Sequence, residues 1–132
     1  MKKITFLTLL FLAFSNYSFS QIYKLRAYAI ASSSYFDEVW EEWGEWEETN
    51  VLIVINSTEE TCVIYSKTTQ KLDLVESLGS TTENDGSKST TWLYVDQDGD
   101  ECISKLLVKD DIIQLYFIFD TFRVAYEVKM LD

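Results

Sequence analysis

The strongest constraint on the fold of this 132-residue chain is the run of residues 112–130 near its C-terminal end. Residues 122–130 alternate between an apolar and a mostly polar face, which is the pattern of a β-strand with one buried face. Residues 112–119 are apolar on both faces, as expected of a strand that is covered on two sides. Asp120 and Thr121 separate the two runs, so the sequence predicts an antiparallel hairpin on which the core is built.

Turn-forming residues interrupt the rest of the chain about every eight to twelve positions, which is typical of a meander of short strands. The sequence predicts an all-β fold, in which an antiparallel meander of about eight or nine strands closes into a small up-and-down barrel. A two-sheet β-sandwich is the alternative. The further strands are predicted at residues 22–31, 51–56, 62–66, 71–78, 90–96 and 101–109. Turns are predicted at residues 32–34, 57–60 and 98–99, and the longest loop at residues 79–88.

Residues 35–48 contain three tryptophans, seven acids and no base. As a helix the segment would have a Ser34 cap, but its acids would repel one another at a spacing of four residues. As a strand it would place Trp40 and Trp46 toward the barrel interior and Trp43 on the opposite face, with the glutamates in water. The strand is the favoured interpretation because no Lys or Arg offsets the repulsion in the helix.

Residues 1–20 have the pattern of a secretory signal peptide. Two lysines precede an apolar run at residues 4–14, which is too short to span a bilayer, and small residues follow up to Ser20. We therefore expect cleavage after Ser20 and a single all-β domain over residues 21–132, exported in soluble form to the periplasm or the medium. No later segment is apolar for long enough to cross a membrane as a helix, so no membrane span is predicted.

The charge of the chain excludes two classes of partner. Residues 1–20 contain two lysines and no acid, so the remaining chain has 9 basic and 22 acidic residues and a net charge of −13. This charge repels nucleic acids and anionic lipid surfaces, which bind stripes of Lys and Arg. A content of 47% hydrophobic and 15% aromatic residues is that of a folded domain and not of a disordered chain.

The chain has two cysteines, Cys62 and Cys102. In an oxidising compartment a pair of cysteines more often forms a disulfide than two free thiols, so we expect a bond between them. The bond would close a loop of about 40 residues and stabilise the fold by roughly 3 to 4 kcal/mol. Two cysteines without histidine make neither a zinc site nor a Cys-His nucleophile.

Catalysis and metal binding have little support in the sequence. The chain contains no histidine, which removes Ser-His-Asp and Cys-His catalysis and the nitrogen ligands of the usual zinc sites. Carboxylates are abundant, but with 22 acids some pair by chance. Residues 96–101 resemble a calcium loop, yet Gly99 does not have the spacing of an EF-hand glycine, and a hairpin turn at Asp98-Gly99 explains them. We predict a protein that is not an enzyme and has no metal and no cofactor.

Two segments resemble the lipocalin (calycin) family. Gly44-Glu45-Trp46 matches the G-x-W motif of that family near the start of the barrel. Residues 116–122, followed by Tyr126, are similar to its late strand-turn-strand segment, and Arg123 would be the basic residue that covers the tryptophan. The resemblance implies a barrel that encloses a small apolar ligand, with Trp40, Trp46 and Arg123 as candidate ligand-binding residues. The chain also resembles small exported bacterial β-proteins of unassigned function.

Two functions are compatible with these features. The first is a lipocalin-like binding protein for a small apolar or aromatic ligand, which requires a barrel interior that its own side chains do not fill. The second is an acidic protein-interaction module, for example an inhibitor of a cationic secreted enzyme such as lysozyme. In the second case Trp43, Glu41 and Glu45 would face the partner, because tryptophan is enriched at binding hot spots and carboxylates steer a cationic partner.

Overall fold

The computed structural model describes residues 21–131, which form nine β-strands. The signal peptide expected at residues 1–20 and the final Asp132 lie outside the described residues. In chain order the strands are β1 (Ile22–Phe36), β2 (Val39–Trp40), β3 (Glu47–Asn56), β4 (Thr61–Tyr65), β5 (Thr69–Thr82), β6 (Lys88–Val95), β7 (Glu101–Lys109), β8 (Ile112–Ile118) and β9 (Phe122–Met130). The described part of the chain contains no helix that is long and apolar enough to cross a membrane.

The strands close into a barrel. Each strand pairs antiparallel with the next along the chain, except that β2 is a short excursion and β3 pairs directly with β1. β1 also pairs with β9, from Leu25↔Met130 to Ser34↔Phe122, so the first and last strands are joined. The result is a closed eight-stranded antiparallel barrel with β2 as one extra strand at its end. This confirms the predicted barrel against the sandwich, and closure satisfies backbone groups that an open sheet would leave at its edges.

The C-terminal hairpin forms as predicted. β8 and β9 pair on either side of a turn at Asp120 and Thr121. The apolar face of β9 points into the barrel, where Tyr126 and Val128 are buried. Leu115 and Phe117 of β8 belong to the same core. A two-residue period therefore identified the buried face of this hairpin correctly.

Large side chains of the protein itself occupy the barrel interior. The largest of them, each with less than 2% of its surface exposed, are Trp92, Tyr94, Phe117, Leu25, Ile53, Ile55, Leu72, Leu106 and Leu115. A side chain that lined an open cavity would present surface to the water inside it, and these side chains present almost none. In a barrel of eight strands the inward side chains meet across the axis, which accounts for this close packing.

The three serines at residues 32–34 do not form the predicted turn but continue β1. They pair with β9 as far as Ser34↔Phe122. A run of small polar residues does not favour a strand by itself, but strand preference depends strongly on context. Here the neighbouring strand β9 supplies the backbone hydrogen bonds that extend β1 through the serines. β1 ends at Phe36, so it extends past β3 and carries the hairpin described below.

The long loop predicted at residues 79–88 is shorter in the structure and covers only residues 83–87. β5 continues to Thr82, with two register shifts against β6, the second of them beside Gly79. Gly79 has a φ of 99°, which a residue with a side chain rarely adopts. The glycine therefore serves a β-bulge within the strand and not a loop.

The β6–β7 hairpin has a three-residue loop in place of the predicted two-residue turn. The Asp96 N–H donates to the Asp100 carbonyl, and the Gly99 N–H donates to the Asp96 carbonyl. Gly99 has a positive φ of 89°, whereas Asp98 does not have a positive φ. This is the common three-residue connection, a turn followed by one left-handed residue.

The predicted disulfide is wrong, because Cys62 on β4 and Cys102 on β7 are both free thiols. Both side chains belong to the buried core of the barrel. β5 and β6 lie between β4 and β7 in the barrel wall, so the two cysteines are not cross-strand neighbours; their side chains share the barrel interior, where they lie near each other without a bond. They act as small hydrophobic core residues, as buried cysteines commonly do.

Candidate functional site

The candidate site lies at the end of the barrel where β1 turns into β2. The two strands form a two-residue hairpin in which Phe36 pairs with Val39 across the turn Asp37-Glu38. Both turn residues have a positive φ, 54° for Asp37 and 65° for Glu38. Aspartate is common at the first position of such a turn, but the second position normally holds glycine, so Glu38 in the left-handed region costs about 1 kcal/mol. The tip of this hairpin is therefore strained.

Residues 40–46, which we call the tryptophan segment, begin at the last residue of β2 and lead to β3. Residues 41–46 form neither the favoured strand nor the alternative helix. The segment lies alongside β1, because the N–H of Glu41 donates to the Ser34 carbonyl and the N–H of Gly44 donates to the Ser32 carbonyl, both at 2.8 Å. A Cβ on Gly44 would lie 3.3 Å from the Ser32 oxygen, so glycine permits this close approach. Backbone hydrogen bonds thus fix the segment against the barrel.

The tryptophan segment covers small side chains on the outer face of the barrel. Ala31 of β1 pairs with Ala125 of β9, and both are buried although they point away from the core. Beside them, the rings of Trp43 and Tyr116 meet edge to face with their centroids 5.7 Å apart. Burial raises the pKa of Tyr116, as does the Glu127 carboxylate, and the Arg123 charge opposes both effects. The small side chains of Ala31 and Ala125 leave room for the Trp43 ring on the outer face of the sheet.

Arg123, near the start of β9, lies between two tryptophans. Its Cζ is 4.7 Å from the centre of the Trp40 ring and 4.4 Å from the centre of the Trp43 ring. Its Nη2 donates to the Glu41 carbonyl oxygen at 3.3 Å, and the same oxygen accepts a hydrogen bond from Ser33 Oγ at 2.6 Å. Its Nε is buried without a hydrogen-bond partner among the described residues, so the two aromatic faces are the main partners of the guanidinium.

An apolar surface remains exposed around the hairpin. Phe36 exposes 72% of its surface and Val39 exposes 63%. The neighbouring aromatic residues that expose more than a third of their surface are Tyr35, Trp43, Trp46 and Phe122. The seven acids of residues 35–48 are all exposed as well. We call residues 35–48 the acidic rim, which combines exposed apolar rings with a single sign of charge.

The predicted ligand-binding residues do not meet inside the barrel. Trp40 is half-buried and Trp46 is exposed, and neither belongs to the core, so their predicted inward placement is wrong. Arg123 covers tryptophan, as the lipocalin resemblance implies, but it covers Trp40 and Trp43 and not the Trp46 of the G-x-W motif. The predicted partner-facing residues are exposed at the acidic rim, and they are Trp43, Glu41 and Glu45.

Sequence reasoning missed the exposed pair Phe36 and Val39. Their hairpin lacks the Asn-Gly or Asp-Gly signal, because Asp37-Glu38 occupies the turn. The tryptophans did carry a signal, since Trp40, Trp43 and Trp46 recur at every third residue. That spacing fits neither the two-residue period of a strand nor the 3.6-residue period of a helix.

Three carboxylates of the β6–β7 loop also lie close together. One oxygen from each of Asp96, Asp98 and Asp100 lies within 4.8 Å of the others, a geometry that could hold a cation. Asp96 Oδ1, however, accepts hydrogen bonds from the backbone N–H groups of Asp98 and Asp100, both at 2.9 Å. Stabilisation of the hairpin turn by the Asp96 side chain therefore explains the arrangement without a bound cation.

No family model, curated protein or solved structure matches the chain in comparisons with known proteins. The resemblance to lipocalins thus rests on Gly44-Glu45-Trp46 and residues 116–122, with Tyr126 and Arg123. The function has to be argued from the geometry and charge of the chain itself.

Proposed function

We propose that this protein is an exported, non-enzymatic binding protein whose acidic rim docks a cationic protein. The observation that carries the proposal is the exposed pair Phe36 and Val39 at the tip of a hairpin whose turn and following segment carry exposed carboxylates. Export rests on the signal-peptide pattern of residues 1–20. An inhibitor of a cationic secreted enzyme such as lysozyme is one form that this function takes.

The apolar part of the rim supports a protein partner. Large apolar side chains that lie together in contact with water are uncommon on a monomer and mark interaction sites. Phe36 and Val39 are cross-strand neighbours, and the rings of Tyr35 and Trp40 lie 5.2 Å apart in the next pair of the same hairpin. Aromatic residues held by such contacts lose little conformational entropy when a partner binds, which suits them to binding hot spots.

The charge of the rim supports a cationic partner. Seven carboxylates and no basic side chain lie between Asp37 and Glu48. Among residues 21–131, the guanidinium that contacts the segment is that of Arg123, which lies against the rings of Trp40 and Trp43. Clustered charges of one sign raise the rate of encounter with an oppositely charged protein and suppress binding of acidic ones.

The barrel interior gives weaker support to the small-ligand hypothesis. A lipocalin-like ligand needs space near the barrel axis, where Trp92, Tyr94 and Phe117 are each less than 2% exposed. The tryptophans that would have contacted such a ligand, Trp40 and Trp46, lie outside the core. The acidic rim is therefore the better candidate for binding.

The experiment measures binding of lysozyme, and of a lysine-rich peptide, to the mature protein by surface plasmon resonance at low and at physiological salt. We expect binding that weakens steeply with salt, because the screening length falls from about 30 Å at 0.01 M to about 8 Å at 0.15 M salt. Glu41→Gln with Glu45→Gln should slow association severalfold, whereas Phe36→Ser should mainly speed dissociation.

The matched control is Asp110→Asn with Asp111→Asn, which removes the same charge at the β7–β8 turn. If the control and the rim variant weaken binding equally, net charge and not the rim is responsible. Absence of salt-sensitive binding to both probes would contradict the proposed function, and binding of a small apolar dye to the native barrel would favour the ligand hypothesis.

A further inference from the structure

We infer that the acidic rim selects arginine over lysine in its partner and that Trp46 stacks on the arginine guanidinium. This inference rests on the proposed function, since it names the chemical group that the rim binds. Its basis is the contact that the tryptophan segment already makes with a guanidinium of its own chain, Arg123.

The Arg123 contact shows how the segment presents its rings. Trp40 and Trp43 are three residues apart, and their ring centres lie 4.7 and 4.4 Å from the same Arg123 Cζ. Rings separated by three residues therefore point to the same side of the segment. The hydrogen bonds of Glu41 and Gly44 to β1 keep the segment extended along the barrel while it does so.

Trp46 is the next ring in the same series. The sequence from residue 40 to residue 48 reads as three triplets, Trp-Glu-Glu, Trp-Gly-Glu and Trp-Glu-Glu, each with tryptophan first and glutamate third. Trp46 exposes 43% of its surface and has no ring or cation partner among residues 21–131. The carboxylates of Glu45, Glu47 and Glu48, next to it in the chain, are exposed. The Trp46 ring is thus exposed next to three carboxylates and is available to a partner.

Guanidinium suits this arrangement better than ammonium does. It is planar and weakly hydrated, so one face can stack on an indole while its edge donates paired hydrogen bonds to a carboxylate. A lysine ammonium is a compact, strongly hydrated point charge that gains less from an aromatic face. Of two partners with equal charge, the one that carries arginine should therefore bind more tightly than the one that carries lysine.

The test compares two peptides of identical length and charge, one with arginine and the other with lysine as its only cation. Titration calorimetry with the mature protein should give a dissociation constant about two- to fivefold lower for the arginine peptide, the effect of one exposed cation–π contact. Trp46→Ala should remove this preference, because it should weaken binding of the arginine peptide more than binding of the lysine peptide. Since Trp46 lies outside the core, circular dichroism and urea unfolding of the variant should match the wild type.

The matched control is Tyr65→Ala, which removes an aromatic ring that is 48% exposed on β4, outside the rim. It should retain the arginine preference. Equal, salt-sensitive affinities for the two peptides would overturn the arginine inference and leave the proposed function intact. A preference that survives in Trp46→Ala would overturn the role of Trp46, and failure of both peptides to bind would overturn the inference together with the proposed function.

Discussion

The Cζ atom of Arg123 lies 4.4 Å from the centre of the Trp43 ring and 4.7 Å from the centre of the Trp40 ring. This contact joins the start of β9 to the segment that leads from β2 into β3. It also places a fixed positive charge beneath a surface that is otherwise acidic. The position of the acidic rim on the barrel therefore depends on Arg123, a residue of the barrel wall.

Replacement of Arg123 by methionine should loosen the rim. The change removes two cation–π contacts and a hydrogen bond to Glu41, so we expect the free energy of unfolding to fall by about 1 to 2 kcal/mol. Urea unfolding measures the change, and quenching of tryptophan fluorescence by acrylamide should increase in the native state. The control is Arg26→Met, which removes an exposed side chain that donates to Asn50 Oδ1 and should lower the free energy of unfolding by less than about 0.5 kcal/mol. Equal losses in the two variants would contradict the stacking role.

Replacement of Glu38 by glycine should stabilise the protein. Glu38 has a φ of 65° in the β1–β2 turn, where glycine avoids a cost of about 1 kcal/mol that other residues pay. We expect a gain of about 0.5 to 1 kcal/mol in the free energy of unfolding, measured in urea. Glu42→Gly is the matched control, because Glu42 does not have a positive φ and the same loss of a carboxylate should there be neutral or destabilising. Stabilisation by both variants would show that relief of charge repulsion, not of strain, is responsible.

The sequence alone predicted the barrel because the patterns that indicate its strands and turns lie within short stretches of the chain. The alternation of residues 122–130 defines one buried face, and this segment forms β9 with the same bounds. Turn residues at 57–60 and 120–121 separate strands whose pairing follows directly from chain order. Where the prediction was wrong, as at Ser32-Ser33-Ser34, a neighbouring strand from the far end of the chain decided the structure.

The candidate site was beyond prediction for a related reason. The tryptophans of the tryptophan segment recur at every third residue, which matches neither the period of a strand nor that of a helix. The position of the segment is set by residues far away in the sequence. Glu41 accepts a hydrogen bond from Arg123, which is 82 residues away in the sequence. The resemblance to lipocalins did point to an arginine over a tryptophan, but the choice of Trp40 and Trp43 over Trp46 depends on how the segment crosses the outer face.

The β5–β6 loop should make stability depend on pH in the acid range. Asp85 accepts hydrogen bonds from the Ser87 hydroxyl at 2.6 Å and the Ser87 N–H at 3.0 Å, and its carboxylate lies 3.3 Å from the Lys109 ammonium. These contacts, the Ser87 hydroxyl first, lower the pKa of Asp85 from 3.8 to about 2. The unfolded chain therefore takes up this proton first as the pH falls.

The stabilisation by Asp85 should be complete above about pH 4 and lost as the pH falls toward about 2. Asp85→Asn should accordingly be less stable than the wild type at neutral pH, and the difference in urea midpoint should shrink through this range. Asp111→Asn, at an exposed turn position, provides the control for removal of a negative charge. A constant difference between Asp85→Asn and the wild type from neutral pH to pH 2 would contradict the assignment.

The two thiols in the barrel core should be unreactive in the native protein. Burial raises the pKa of Cys102 to about 12, and burial together with the nearby Cys102 raises the pKa of Cys62 as well. The thiolate is the reactive form, so at about pH 8 neither cysteine offers a nucleophile, and the packed side chains around them exclude the reagent. A chromogenic disulfide reagent should therefore detect almost no thiol until guanidinium chloride unfolds the barrel, and then two per chain.

Cys62→Ala provides the control for this count, because the unfolded variant should release one thiol in place of two. The variant removes a buried sulfur from the core, so it should also lower the free energy of unfolding by about 1 kcal/mol or more. Two outcomes would contradict the structure. Rapid reaction of the native protein would show that the interior admits small molecules, and no thiol in the unfolded wild type, prepared under oxidising conditions, would show that Cys62 and Cys102 are joined.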